Sequence, residues 1–200
     1  MVEISGKYKI GTRRFGSINW IGAWTLYKKE VLRFLIVWIQ TLFSPLITSL
    51  LFLSVLSLAI GNDRGDVLGV PFIVFLAPGL IAMQIIQQAF SHSSSSFMIG
   101  KIQGNIVDLI YAPLSAGEVT LAVTLASVTR SVLIAIISLL VFYLFIDLEI
   151  KNFVTLIVFT LLSAFSLGAL GIIAGLWAEK FDHMATVTNF IIIPLSFLSG

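Results

Sequence analysis

The chain contains no cysteine. That absence excludes a disulfide framework, a thiol nucleophile and any metal site built on cysteine. Charge is nearly as scarce: only 11% of the 200 residues are Asp, Glu, Lys or Arg, against about 25% in a soluble domain. A soluble core of this size needs a polar surface, and there are too few charges to make one. No Gly-x-x-x-x-Gly-Lys-Ser/Thr loop occurs, so the chain cannot cradle a nucleotide phosphate in that way. The two histidines, His92 and His183, lie far apart. His183, with Asp182 and Glu179, reads as part of a solvated turn and not as a metal site. No run of carboxylates lies within the apolar stretches, which argues against a proton relay.

What the sequence has in abundance is apolar length. Hydrophobic residues make up 58% of it and the mean hydropathy is +1.05. A bilayer core of about 30 Å needs about 20 apolar residues in helix. Residues 34–60 carry no charge and would span about 40 Å at 1.5 Å per residue, so this first span must tilt or start within the interface. Pro45 predicts a kink inside it. The apolar stretch lies too deep in the chain for a secretory signal, and reads as a retained span. Further spans are predicted over residues 70–90, 119–146 and 153–177, with a fifth beginning near Ala185 and still apolar at Gly200. Polar turns are predicted at residues 61–66, 147–152 and 179–183, and a polar to amphipathic loop at 91–117. The expected fold is an all-α polytopic transmembrane bundle with an N-terminal interfacial helix and five visible spans. The fifth alone would leave the chain outside, so either a sixth span is missing from this chain or the protein stops at the outer surface; the first is expected.

Basic residues orient the bundle. Lys7, Lys9, Arg13, Arg14, Lys28, Lys29, Arg33, Lys101 and Lys180 fall on one side, and Arg64 and Lys151 on the other. The larger group marks the cytoplasm, which places the N-terminus and the 91–117 loop inside. The net charge of +2 is small, and no nucleic-acid partner is expected.

Several groups stand out from the apolar background. Trp20, Trp24, Tyr27 and Val31 recur on one helical face, and Lys28, Lys29, Glu30 and Arg33 give that segment a charged end. Aromatic rings settle at headgroup depth and basic side chains reach toward phosphates. The pattern predicts an interfacial helix over residues 17–33, either a simple anchor or a force-transmitting element. In the loop, Ile102, Ile106, Leu109 and Ile110 share a face, with Gln103, Asn105 and Asp108 elsewhere. Gly104 limits the helix, and Ala112-Pro113 ends it. Such a short amphipathic helix packs either on its own bundle or in a cleft of another protein. Arg130 interrupts the third span. It must snorkel, find a polar neighbour or line a wet cavity. Gln84, Gln87, Gln88 and Asn189 must likewise face protein or water; they either line a substrate path or join helices. Ala164, Gly168, Gly171, Ala174 and Gly175 read as helix-packing residues. His92 beside Ser91–Ser96 suggests a Ser/His hydrolase, but adjacent residues rarely meet the geometry and no orienting carboxylate stands nearby in sequence. A serine-rich helix end at the membrane surface is expected instead.

Four strings together resemble the membrane subunit of type-2 ABC exporters. They are Phe75-Leu76-Ala77-Pro78-Gly79-Leu80; Gln103-Gly104-Asn105-Ile106-Val107-Asp108-Leu109 followed by Ala112-Pro113-Leu114-Ser115; Trp24 with Lys28-Lys29-Glu30-Val31 and Arg33-Phe34; and Ile193-Pro194-Leu195-Ser196 near the end. The likeness runs from about Trp20 to Gly200 and implies one type-2 transmembrane domain over residues 1–200, C-terminally incomplete for want of the rest of an outer re-entrant segment and a sixth helix. It implies a multi-pass permease of the inner membrane that does no covalent chemistry, binds no metal and holds no cofactor. ATP and Mg would sit on a separate ATP-binding subunit, and a second permease copy, the bilayer and that subunit would be its partners. Gln103, Gly104, Asn105, Ile106, Asp108, Leu109, Ala112, Pro113 and Leu114 would form the ATPase-coupling element, with Ile106, Leu109 and Pro113 as its anchors. Trp20, Trp24, Tyr27, Lys28, Glu30 and Arg33 would belong to the interfacial helix. Gln84, Gln87, Gln88, Arg130 and Asn189 are the candidates for the substrate path. The rival reading is a carrier or channel that works without ATP.

Overall fold

A computed structural model describes residues 18–60, 67, 69–146, 148 and 152–198. The basic residues Lys7, Lys9, Arg13, Arg14, Arg64 and Lys151 and the predicted turn at 61–66 lie outside them, as do most of the 147–152 turn and the end of the chain at 199–200. Among the described residues the chain is helical, without strands, in the order α1 (Trp20–Ile36), α2 (Ser44–Ile60), α3 (Phe72–Ile102), α4 (Ile106–Tyr111), α5 (Ala116–Tyr143), α6 (Phe153–Trp177), α7 (Phe181–Val187) and α8 (Ile193–Phe197). It is an all-α polytopic membrane bundle.

Asn19 starts α1 by accepting a hydrogen bond from the Gly22 amide at 2.9 Å, a side-chain cap that satisfies a free helical N–H. The helix runs three residues past the predicted boundary and breaks at Val37, whose φ of −105° and ψ of 36° leave the helical region. A π-helical turn, Ile39–Phe43, then leads into α2. The uninterrupted stretch expected over 34–60 is therefore two elements, and the candidate span is Ile39–Ala59. Pro45 lies in the first turn of α2, directly after the π turn. The irregularity expected there falls on the π turn just before it.

The long α3 corrects the sequence reading most. Residues 91–102, expected in a loop, continue the helix for three more turns. The serines are not at a polar surface: His92, Ser93 and Ser94 are buried. Their hydroxyls turn back onto the helix, Ser94 Oγ to the Ser91 carbonyl at 3.3 Å and Ser95 Oγ to the His92 carbonyl at 3.0 Å. Ser94 and Ser95 meet their polarity locally and act as small residues, whereas the buried Ser93 hydroxyl has no partner. Of the α6 glycines, Gly171 and Gly175 lie against this stretch of α3 and Gly168 lies against α5. A Cβ on Gly171 would stand 2.6 Å from the Phe90 carbonyl oxygen, one on Gly175 2.8 Å from that of Ser94, and one on Gly168 2.3 Å from Ser127 Oγ. Only glycine allows backbones this close. Lys101 then caps the far end of α6, its Nζ donating to the carbonyls of Leu176 and, at 2.9 Å, Ala178. Thus α3, α5 and α6 form the packed centre, around Phe90, Met98, Phe142 and Ala164.

Four helical segments are long and apolar enough to cross a membrane: Ile39–Ala59, Phe72–Ile102, Ala116–Tyr143 and Phe153–Trp177. The third starts three residues before its predicted boundary and the fourth has the expected bounds. The fifth apolar stretch is helical over 181–197 through a second π turn, Thr188–Ile192. Phe181, Asp182 and His183, expected in a turn, begin it. The His183 ring lies 5.5 Å from that of Trp177.

Candidate functional site

Two features concentrate polar chemistry: the segment joining α3 to α5, and a cavity beside α3. In the first, α3 ends at Gln103 because Gly104 takes a left-handed φ of +77°, a conformation costly to residues with a Cβ. α4 is a six-residue helix. Ala112 is extended at its end (φ −61°, ψ 143°), as a residue before proline prefers. Ser115 opens α5 with a capping box: its Oγ accepts from the Glu118 amide at 3.3 Å, and Glu118 accepts from the Ser115 amide at 2.6 Å.

The apolar residues of this segment point two ways. Ile106, Leu109 and Leu114 pack on a cluster of Leu26, Phe97, Ala122, Val123 and Ile172 from α1, α3, α5 and α6. Val107, Ile110 and Tyr111 point outward, the last two 72% and 84% exposed. Two of the three residues predicted to anchor on a partner therefore seat α4 on its own bundle. Gln103, Asn105 and Asp108 are exposed, and Asn105 Nδ2 donates to Gln103 Oε1 at 3.2 Å.

A tight joint ties this segment to α1. The Glu118 carboxylate, buried, also accepts from the Asn19 amide at 2.5 Å. Asn19 Nδ2 donates to the Pro113 carbonyl at 3.1 Å. A Cβ on Gly22 would meet the Leu114 side chain at 2.7 Å. Farther along α1, the charged end expected at the lipid headgroups divides. Lys28 and Lys29 are exposed with Trp20 and Trp24, and Trp24 stacks on Tyr27 at 5.2 Å. Tyr27 turns its hydroxyl to Thr129 Oγ1, 2.9 Å away. Glu30 is buried, in line with Leu26 and Phe34 one turn on either side. Arg33 bonds Glu30 through Nε at 3.0 Å and the His92 carbonyl at 3.1 Å, and reaches Ser95 Oγ at 3.4 Å. α1 is thus fastened to α3 by a buried carboxylate and a guanidinium. The spacing of 26, 30 and 34 is the signal for this, since it puts Glu30 on the apolar face of α1, apart from its charged sequence neighbours.

Arg33 also borders the second feature, a cavity of about 790 Å³ between α1, the π turn, α2 and α3, closed at one point by Arg130 from α5. Gln84, Gln87 and Gln88 line it, each with a partner. Gln84 accepts from Ser138 Oγ at 2.7 Å and reaches the Pro45 carbonyl at 3.4 Å; Gln87 donates to Ser196 Oγ at 2.9 Å; Gln88 accepts from Arg130 at 2.6 Å. Four of the five predicted path residues therefore meet at one wall, and each amide also joins helices. Asn189 is exposed and lies apart from the cavity. His92 bonds no serine hydroxyl through its ring. Its ring sits edge-on to Phe34 at 5.6 Å, with Nε2 3.8 Å from Glu30, and neither ring nitrogen has a hydrogen-bond partner. Among the described residues the His92 ring is paired with no nucleophile.

Residues 22–200 match the family model described as ABC-2 type transporter. Among curated proteins the chain is similar to the inner membrane transport permease YadH of Escherichia coli K12, at 30% identity over 183 residues, covering 92% of this chain and 72% of that protein. The YadH proteins of Escherichia coli O157:H7 and Shigella flexneri match to the same extent. No solved structure matches the chain.

Proposed function

Since the chain belongs to the ABC-2 type transporter membrane family, we propose that it is the permease subunit of an ATP-driven exporter in the inner membrane, driven by a separate ATP-binding subunit that docks on α4. The observation that carries this reading is the two-faced α4. Ile106 and Leu109 hold it to the bundle, while Val107, Ile110 and Tyr111 are left uncovered beside exposed Asp108. An exposed aromatic with aliphatic neighbours at the end of a bundle is the composition of an interface anchor. The chain's lack of a phosphate-binding loop supports a partner that supplies the ATPase.

In this reading, ATP-driven closure of the partner moves α4 as a body. The Pro113–Asn19 and Glu118–Asn19 bonds carry that motion into α1. The Arg33–Glu30 pair and the Arg33 bond to the His92 carbonyl carry it into α3. The cavity walls, drawn from these same helices, would shift between two arrangements whose populations ATP biases. A second permease copy would complete the path, with substrate crossing between them.

The test places charge on the outward face and leaves the seat intact. Val107→Asp with Ile110→Asp is expected to abolish capture of the ATPase subunit and substrate-stimulated ATP hydrolysis in reconstituted vesicles, with the permease still inserted and monodisperse. Wild-type capture and stimulation in that variant would mean that α4 is not the docking element.

A further inference from the structure

The cavity carries an uncompensated positive charge. Two guanidiniums, Arg33 and Arg130, and the His92 imidazole line it, and no carboxylate does among the described residues. Arg33 is matched by Glu30, 3.0 Å away. Arg130 has no acidic partner among the described residues; its one hydrogen bond goes to the Gln88 amide, and its buried Nε has no partner. Arg130 is half-buried with its Nε fully covered, and a guanidinium offers two parallel N–H groups suited to a phosphate or carboxylate. The geometry of the walls adds polarity along the cavity. Gln84 meets Pro45; from there the lining passes Met83 to Leu80 on α3, and Thr48 and Ser49 to Phe52 on α2, so both helices end on an apolar side chain. In the other direction α3 runs to Gln88 and His92, where the guanidiniums lie. Leu80 and His92 are about 18 Å apart along α3.

From this polarity we propose that the cavity is a receptor for an anionic amphiphile. Its phosphate or carboxylate head is held by Arg130, Gln88 and the free N–H groups of Arg33, and its hydrocarbon tail lies toward Leu80 and Phe52. The inference rests on the permease reading for its role in transport, naming the class of substrate that the path admits. The binding itself requires neither ATP nor the ATPase subunit.

The experiment is native mass spectrometry of the purified permease in phosphatidylcholine nanodiscs, titrated with dodecyl phosphate, with dodecyltrimethylammonium and with inorganic phosphate. Dodecyl phosphate is expected to bind saturably, with the cation of equal chain length and the free anion each at least about tenfold weaker. Arg130→Gln is expected to weaken dodecyl phosphate by about thirtyfold or more, as truncating one member of a buried charge pair does, and Arg130→Lys by less. Ser91→Asp, an exposed substitution on the cavity wall, sets a carboxylate against the same charge and is expected to weaken binding without removing any helix contact; it keeps the test valid if Arg130→Gln does not fold. Equal binding of the two amphiphiles, or unchanged binding in the folded variants, would overturn the proposal. Binding of inorganic phosphate as tight as that of dodecyl phosphate would overturn it too, since the tail would then contribute nothing. Failure here with ATPase capture intact at α4 would leave the permease reading standing; loss of capture alone would leave this one.

Discussion

Glu118 is the point at which the proposed motion of α4 enters α1, and its removal has a calculable effect. The carboxylate takes two backbone N–H groups, Asn19 at 2.5 Å and Ser115 at 2.6 Å. Glu118→Gln keeps the shape and replaces one oxygen with an amide NH₂. One of the two backbone donors then faces another donor in a buried setting. A hydrogen bond to a charged group contributes about 1.5–3 kcal/mol, and an acidic residue in the first helical turn adds about 0.3–1 kcal/mol. The docked joint should therefore lose about 2–4 kcal/mol, or about thirtyfold to several hundredfold in its closed-to-open ratio. Amide hydrogen exchange reads that ratio where local opening governs exchange. Peptides containing the Asn19 and Ser115 amides should lose protection by that factor in Glu118→Gln. Ser115→Ala, which removes the reciprocal cap alone, should lose less, about 0.5–2 kcal/mol. Coupled transport should fall with protection, whereas ATPase capture should not, since Val107, Ile110 and Tyr111 are untouched. Unchanged protection in Glu118→Gln would show that the carboxylate does not hold the joint. Lost protection with normal coupled transport would remove it from the path of force.

Two further outcomes are expected. Gly171→Ala should lower thermal stability by about 1–3 kcal/mol, because its Cβ would stand 2.6 Å from a backbone oxygen that no rotamer change can move; Gly117→Ala, whose Cβ meets nothing within 4 Å, should cost nothing in the same melting assay. In this cysteine-free chain, a cysteine at Asn62 should react with an impermeant thiol reagent in intact cells and one at Asn105 should not, as the basic-residue asymmetry demands; the reverse pattern would invert the bundle.

The parts of the fold legible in the sequence are those fixed by local chemistry. α6 has the predicted bounds because an uninterrupted apolar run follows Asn152, whose side chain accepts from the amides of Val154 and Thr155. The short helix before Pro113 was legible because glycine and X-Pro impose backbone conformations that need no neighbours. The course of residues 91–102 was not. Polar side chains in a row read as exposed, yet their fate depended on Gly171 and Gly175, about eighty residues away in sequence. Four of the polar candidates for the path were legible as residues that must avoid lipid. That they face a common cavity with Arg33 was not, because Arg33 lies on a different helix and was assigned to the headgroups.

Arg33 makes the connection between the two halves of the site. It is a member of α1, whose N-terminus is joined to the α4 segment at Asn19, and it lies on the wall of the cavity. α1 is helical from Trp20 to Ile36 without interruption, so a displacement applied at Asn19 is carried about 20 Å along the helix to Arg33 with little loss. There it meets Glu30 on one side and the His92 carbonyl and Ser95 hydroxyl on the other. A guanidinium shared between a carboxylate, a carbonyl and a cavity can exchange one of these for an anionic head as α1 moves. Binding of the head and the position of α1 are then linked, and linkage is reciprocal. Under the proposed function, if ATP binding on the partner subunit selects through α4 the same arrangement of α1 that the anion favours, each would tighten the binding of the other.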